Sequence, residues 1–99
     1  MPNLVEQICK CLQQLNLSED KVAIFTPSNN EPTISLCVWV YYINEPVVMV
    51  TEYTENPGIY YVDIYRTATN YTKYSFPVTA IEDIPAMVVI ALLPYILQS

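Results

Sequence analysis

Histidine is absent from this chain of 99 residues. That absence removes the side chain most often used for proton transfer near neutral pH. It also removes Ser–His and Cys–His nucleophile pairs and every zinc site that needs an imidazole. Glycine occurs once, at Gly58, so a glycine-rich loop that cradles phosphate is excluded. Basic residues number 4 against 10 acids, for a net charge of −6, and charged residues make up only 14% of the chain. Such a balance repels phosphate backbones and anionic headgroups over most of the surface. The 3 cysteines are too few and too irregularly spaced for a disulfide scaffold. Cys9 and Cys11, two apart on a helix, point in divergent directions and can neither share an ion nor crosslink. Either could meet Cys37 if the first helix packs across the second strand; otherwise all three read as small buried apolar side chains.

What is present is apolar and uncharged. The hydrophobic fraction is 53%, enough for one core and one domain over residues 1–99. Thr, Asn, Ser, Gln and 9 Tyr must supply much of the polar surface. A surface so poor in charge reads as one that a partner partly covers. The opening residues, Met1-Pro2-Asn3-Leu4-Val5-Glu6, form neither a basic leader nor an apolar signal core. The longest uncharged apolar run, Ile84 to Leu97, falls short of the roughly 20 residues that span hydrocarbon and is interrupted by Pro85 and Pro94. The expectation is therefore no signal peptide and no transmembrane span. The triplets Asn16-Leu17-Ser18 and Asn70-Tyr71-Thr72 then have no glycosylation role.

The order of elements can be read from periodicity. Leu4, Val5, Ile8, Cys9, Cys11, Leu12 and Leu15 fall on one arc of a helix over residues 3–15, opened by Asn3 or Pro2 and stopped near Asn16. Lys21 to Thr26 reads as a strand, followed by the loop Pro27 to Pro32. In a second strand, Thr33 to Ile43, the face Ile34, Leu36, Val38, Val40 and Tyr42 opposes Ser35, Cys37, Trp39 and Tyr41. This second face is half polar, partly wet or an interface. Asn44-Glu45-Pro46 turns the chain into Val47–Thr54, and Glu55-Asn56-Pro57-Gly58 turns it into Ile59–Arg66. A last strand, Tyr71 to Phe76, ends at Pro77. Short loops between successive strands argue an antiparallel meander. Glu82-Asp83-Ile84-Pro85 resembles a helix start, Ala86 to Leu93 a helix apolar on all sides, and Pro94 its end. The fold class is α+β: an antiparallel meander of four to five strands, an N-terminal amphipathic helix packed on one face, and a short apolar C-terminal helix. Leu4, Ile8, Leu12 and Leu15 should meet Ile34, Leu36, Val38 and Val40.

Candidate chemistry is sparse. Glu19-Asp20 and Glu82-Asp83 read as helix-start and turn acids. Glu52 and Asp63 lie within strands. A loop of residues 55–58 places Glu52 opposite Tyr61. A tight Pro57-Gly58 turn would set it against Asp63, which like-charge repulsion and hairpin twist disfavour. Both acids then read as exposed strand acids. Tyr65, Arg66, Tyr71, Lys73 and Tyr74 gather aromatics and cations around the last hairpin, a pattern that can stack and clamp single-stranded nucleic acid. Two cations add little phosphate affinity, and Tyr is an ordinary strand residue. No catalytic, metal or cofactor residue is expected.

The Tyr-rich strand Cys37-Val38-Trp39-Val40-Tyr41-Tyr42 and the proline-broken apolar tail resemble a small protein of the filamentous viruses of hot-acid archaea, the lipothrixvirus and rudivirus group. The resemblance extends over the whole chain but carries no functional signature and implies no activity. It implies a viral, thermostable protein working in the host cytoplasm. Below about pH 3 most carboxylates are protonated, so a chain relying on apolar burial loses less there. It also makes a Cys37 crosslink more plausible, since disulfides occur inside such hosts. The first expectation is a non-enzymatic interaction or structural protein that self-associates or binds a protein partner, with Trp39, Tyr41, Tyr65, Arg66, Tyr71, Lys73 and Tyr74 as its surface. The alternative is a single-stranded nucleic-acid binder using Tyr65, Arg66, Tyr71, Lys73 and Tyr74. A hydrolase using carboxylates and a divalent ion ranks third.

Overall fold

The amphipathic period at the N-terminus becomes helix α1, Leu4–Gln14. Asn3 caps it: its Oδ1 accepts a hydrogen bond of 2.8 Å from the Glu6 N–H, satisfying one of the amides that a helix start leaves unpaired. The computed structural model describes residues 3–14, 21–27, 32–66 and 72–97, with 66, 72 and 73 described by backbone alone. The expected contribution of Leu15 and the stop at Asn16 lie outside the described residues.

Five strands follow: β1 (Val22–Phe25), β2 (Ile34–Tyr42), β3 (Glu45–Tyr53), β4 (Tyr60–Arg66) and β5 (Thr72–Val78). They form one antiparallel sheet in the order β1-β2-β3-β4-β5, the meander that short loops predict. A short 3₁₀ turn, Ile81–Asp83, leads into helix α2, Ile84–Leu97. The fold is α+β.

Register assigns each side chain to a face. Val38 pairs with Val50 and Val40 with Val48. Val50 in turn pairs with Val62 and Val48 with Ile64. Alternation therefore stacks one face with β-branched residues, which suit a pleated, packed surface. Both helices cover this face. Leu4, Ile8 and Leu12 of α1 and Ile84, Val88 and Leu92 of α2 share one buried core with these valines. The backbone of α1 runs closest to α2, and α2 lies on β2 and β3. Each fully buried aliphatic side chain contributes about 1.5–3 kcal/mol.

Four local expectations are corrected. First, Ile43 and Asn44 form the β2–β3 turn, with φ of 47° and 65°, and β3 begins at Glu45. Two successive residues with positive φ match the twist of a two-residue hairpin. Second, Glu52 pairs with Tyr60 and Thr51 with Tyr61, so neither of the two registers weighed from the sequence is adopted. The loop is longer than either allows: Ile59 donates to the Asn56 carbonyl at 3.2 Å around Pro57 and Gly58, whose φ is 85°. Third, β5 runs through Pro77, which pairs with Tyr61; an edge strand tolerates a missing donor. Fourth, α2 runs through Pro94 to Leu97. Its last turn is held from outside: the Tyr95 hydroxyl donates to the Tyr65 carbonyl at 3.0 Å, and its ring lies 6.0 Å from that of Tyr42. These contacts offset the roughly 3 kcal/mol penalty of proline in a helix.

Candidate interaction face

The second face of the sheet carries no helix among the described residues. Cys37 pairs with Thr51, Trp39 with Met49, Thr51 with Tyr61 and Met49 with Asp63, and Asp63 with Ser75. Phe25 pairs with Trp39 at the β1 edge. Aromatic rings dominate. The Trp39 ring stacks between Tyr41 at 6.0 Å and Tyr65 at 5.8 Å, separations typical of offset aromatic pairs. Tyr53 and Tyr61 meet edge to face at 5.6 Å. Trp39, Tyr41 and Tyr61 are half-buried and Phe25 and Tyr53 exposed, so the face is a platform with rings accessible from solvent.

Two polar residues of this face, Thr51 and Asp63, are buried. Asp63 is 7% exposed and accepts a hydrogen bond from the Ser75 hydroxyl. The sequence expectation of an exposed strand acid is thus corrected for Asp63, because Met49 and Ser75 flank it across the strands while Tyr61 and Tyr65 flank it along β4. Thr51 is 3% exposed, and its hydroxyl has no hydrogen-bond partner among the described residues. Burial pushes the Cys37 thiol above its ordinary value, while the nearby Thr51 hydroxyl, outside hydrogen-bonding geometry, works in the opposite direction. Cys9, Cys11 and Cys37 are free thiols. Cys37 lies on the face away from α1, so the suggested meeting with Cys9 or Cys11 does not occur.

Glu52 serves the β3–β4 loop. Its carboxylate accepts from the Gly58 N–H at 2.9 Å and from the Ser35 hydroxyl at 3.1 Å. It too is corrected from a solvated acid to a loop-fixing acceptor.

The residues grouped by sequence around the last hairpin divide. Tyr65 lies in the platform but is only 6% exposed. Tyr74 pairs with Ile64 and is exposed on the helix-bearing side. Lys73 occupies the register position opposite Tyr65, and Arg66 that opposite Thr72. Tyr71 lies outside the described residues. Sequence reasoning missed Met49, Tyr53, Tyr61 and Phe25 as members of the platform, although strand alternation from Trp39 could have found them once the register was known. Among the described residues, no three Cys, Asp or Glu side chains converge to hold a metal ion, and no helix is long and apolar enough to cross a membrane. Compared with known proteins, the chain matches no family model, and neither a curated protein nor a solved structure is detectably similar to it.

Proposed function

We propose that the chain is a small non-enzymatic interaction protein that binds a protein partner through the open aromatic face of its sheet. The observation that carries this reading is the Trp39 ring stacked between Tyr41 and Tyr65 on a face that no described helix covers. Trp and Tyr supply large, rigid contact area at little entropic cost, and they dominate the binding energy of protein interfaces. Low surface charge supports the same reading, since interface centres are depleted in Lys, Glu and Asp. The resemblance to the filamentous archaeal viruses supports a site of action in the host cytoplasm.

Trp39 is the only tryptophan, so its fluorescence reports on the platform directly. A tagged chain and its Trp39→Ala and Tyr41→Ala variants, used to capture crosslinked partners from the same extract, should differ. The variants should bind at least about tenfold more weakly, as expected for aromatic anchors, and a captured partner should shift the Trp39 emission. Equal capture by all three chains refutes the platform.

A second reading rests on Lys73 standing opposite Tyr65 in register. That register position gives the strand pair a basic residue next in line to stacking rings, the combination with which single-stranded nucleic acid is bound. It requires oligonucleotide binding that weakens with salt and with Lys73→Ala; without both, this reading fails.

A further inference from the structure

We propose that a second copy of this chain docks on the outer face of α2, forming a two-fold, antiparallel helix pair. At about 100° per residue, Ala86, Ile90, Leu93, Pro94 and Leu97 fall within one arc of roughly 100°, opposite the arc that holds Val88, Ala91, Leu92 and Tyr95. The inner arc is in the core. The outer one is bare: Ile90 is 65% exposed, Leu93 39% and Leu97 79%. Their spacing of three and four residues is that of a helix–helix seam.

Charge selects the occupant. A chain of net charge −6 repels its own copies over most of its surface. The helical layer is the exception. Helix α2 contains no charged residue, and α1 contains one acid, Glu6, and one base, Lys10, both exposed. This layer therefore has no net charge, and the remaining acids and bases lie outside the two helices. Apart from Glu82 and Asp83 just before α2, two copies can approach along the helices without net repulsion, and an uncharged apolar stripe complements itself, as an isologous contact requires. A lipid surface is a poorer fit. An interfacial helix carries Lys or Arg along its polar flank, and α2 has none.

The direction follows from the acids at one end. Glu82 and Asp83 immediately precede α2. A parallel pair would set both acid clusters side by side. An antiparallel pair centred between Leu93 and Pro94 places them about 30 Å apart at 1.5 Å per residue, beyond the screening length of about 10 Å. Ile90 of each copy then faces Leu97 of the other, and the two Leu93 side chains meet near the axis. A seam of this size is smaller than the roughly 800 Å² per partner of a standard interface, so the dimer should dissociate on dilution.

Sedimentation velocity from about 1 μM to about 1 mM, the range in which small interfaces dissociate, should show the mass rising from one chain to two. Leu97→Glu and Ile90→Lys should shift the midpoint at least tenfold upward. Both positions are largely exposed, so circular dichroism and melting should show the variants folded. Leu93→Glu should act similarly but removes a partly covered side chain, and its result counts only alongside the other two. Under mild oxidation, Leu93→Cys should form a crosslinked dimer more readily than Ile90→Cys, with the wild-type chain as the control for its native thiols. A single-chain mass at every concentration overturns the proposal. So does a dimer that the Leu97 and Ile90 variants leave unchanged. Binding of a monomeric chain to neutral phosphatidylcholine vesicles, lost in Leu97→Glu, overturns it as well and assigns the stripe to lipid. The dimer and the open-face reading fail separately. A monomeric chain that still binds a partner through Trp39 removes only the dimer, and a Trp39→Ala chain that dimerises normally leaves it standing.

Discussion

On the covered face of the sheet, Val38, Val40, Val48, Val50 and Val62 are fully buried, and each stacks on another aliphatic residue across the strands. On the open face of the same strands, Trp39, Tyr41 and Tyr61 are only partly buried, and two buried residues are polar: Asp63 and Thr51, whose hydroxyl has no partner among the described residues. One set of strands thus serves two purposes. The covered face supplies stability through burial of branched aliphatic surface, which is non-directional and tolerant. The open face supplies rings, hydroxyls and one carboxylate in fixed positions, and it retains a buried hydroxyl that a purely stabilising sheet has no reason to keep. Residues that weaken the fold while enriching a surface fit the interaction role proposed for this face.

The comparison breaks most visibly if the covered side is opened. Leu92 is fully buried between α2 and the sheet, and Leu92→Ala should destabilise the fold by about 2–5 kcal/mol in urea titration. Ile90→Ala, on the same helix but facing outward, should change stability by no more than about 0.5 kcal/mol. Equal losses at the two positions would show that the outer stripe is already packed and that the two sides of α2 are not distinct.

A smaller effect, of opposite sign, is expected on the open face. Thr51→Val keeps the shape of the side chain and removes a buried hydroxyl without a partner among the described residues, whose desolvation costs about 1–3 kcal/mol. The variant should gain about 1 kcal/mol in thermal or urea unfolding. A loss would mean that the hydroxyl is paired in solution. Ile43 provides a comparable gain outside either face. A β-branched residue at φ 47° is strained by roughly 1–2 kcal/mol, and its side chain is exposed. Ile43→Asn should therefore raise stability by about 1 kcal/mol, provided the turn geometry is kept. An unchanged unfolding midpoint would indicate that the strain is relieved elsewhere.

Much of this arrangement was legible in the sequence wherever a repeat was long. The 3.6-residue period of α1 and the alternation in β2 identified the buried Leu4, Ile8, Val38 and Val40 and set Trp39 and Tyr41 on the other side. The β3–β4 register was harder, because residues 54–59 admit several loop lengths and local turn rules do not choose among them. Face matching does choose. Only a pairing of even positions with even ones keeps Val48 and Val50 beside Ile64 and Val62, whereas the register favoured from the loop alone would have set Val50 against Asp63. The prolines misled for a related reason. Pro77 and Pro94 are local stop signals, but Pro77 stands on an edge strand and Pro94 precedes Tyr95, whose ring and hydroxyl are anchored by distant strands. Tyr65, expected at the surface, is buried, and the Trp39 ring stacks on it across β3, a contact invisible in linear order.

The smallest effect separates the two faces by pH. On the open side, burial raises the Cys37 thiol above its ordinary value of 9.0. On the covered side, burial and, secondarily, the negative charge of Glu52 raise the Tyr60 phenol above its ordinary 10.0. Both groups are neutral in their protonated or deprotonation-resistant folded form and ionise more readily once the chain unfolds, so in each case the unfolded state releases its proton first as pH rises. Stability is fully present below the unfolded value and falls above it, until the folded group also ionises. Urea midpoints should therefore be level through the neutral range, begin to decline near pH 9 and steepen near pH 10. Cys37→Ala should flatten the first part of the decline and leave the second, while Tyr60→Phe should do the reverse. Glu52→Gln should weaken only the Tyr60 part, although losing its bond to Gly58 will lower stability at every pH. A single decline shared by both variants would mean that the two faces loosen together, and that the sheet does not insulate the aromatic platform from the core beneath it.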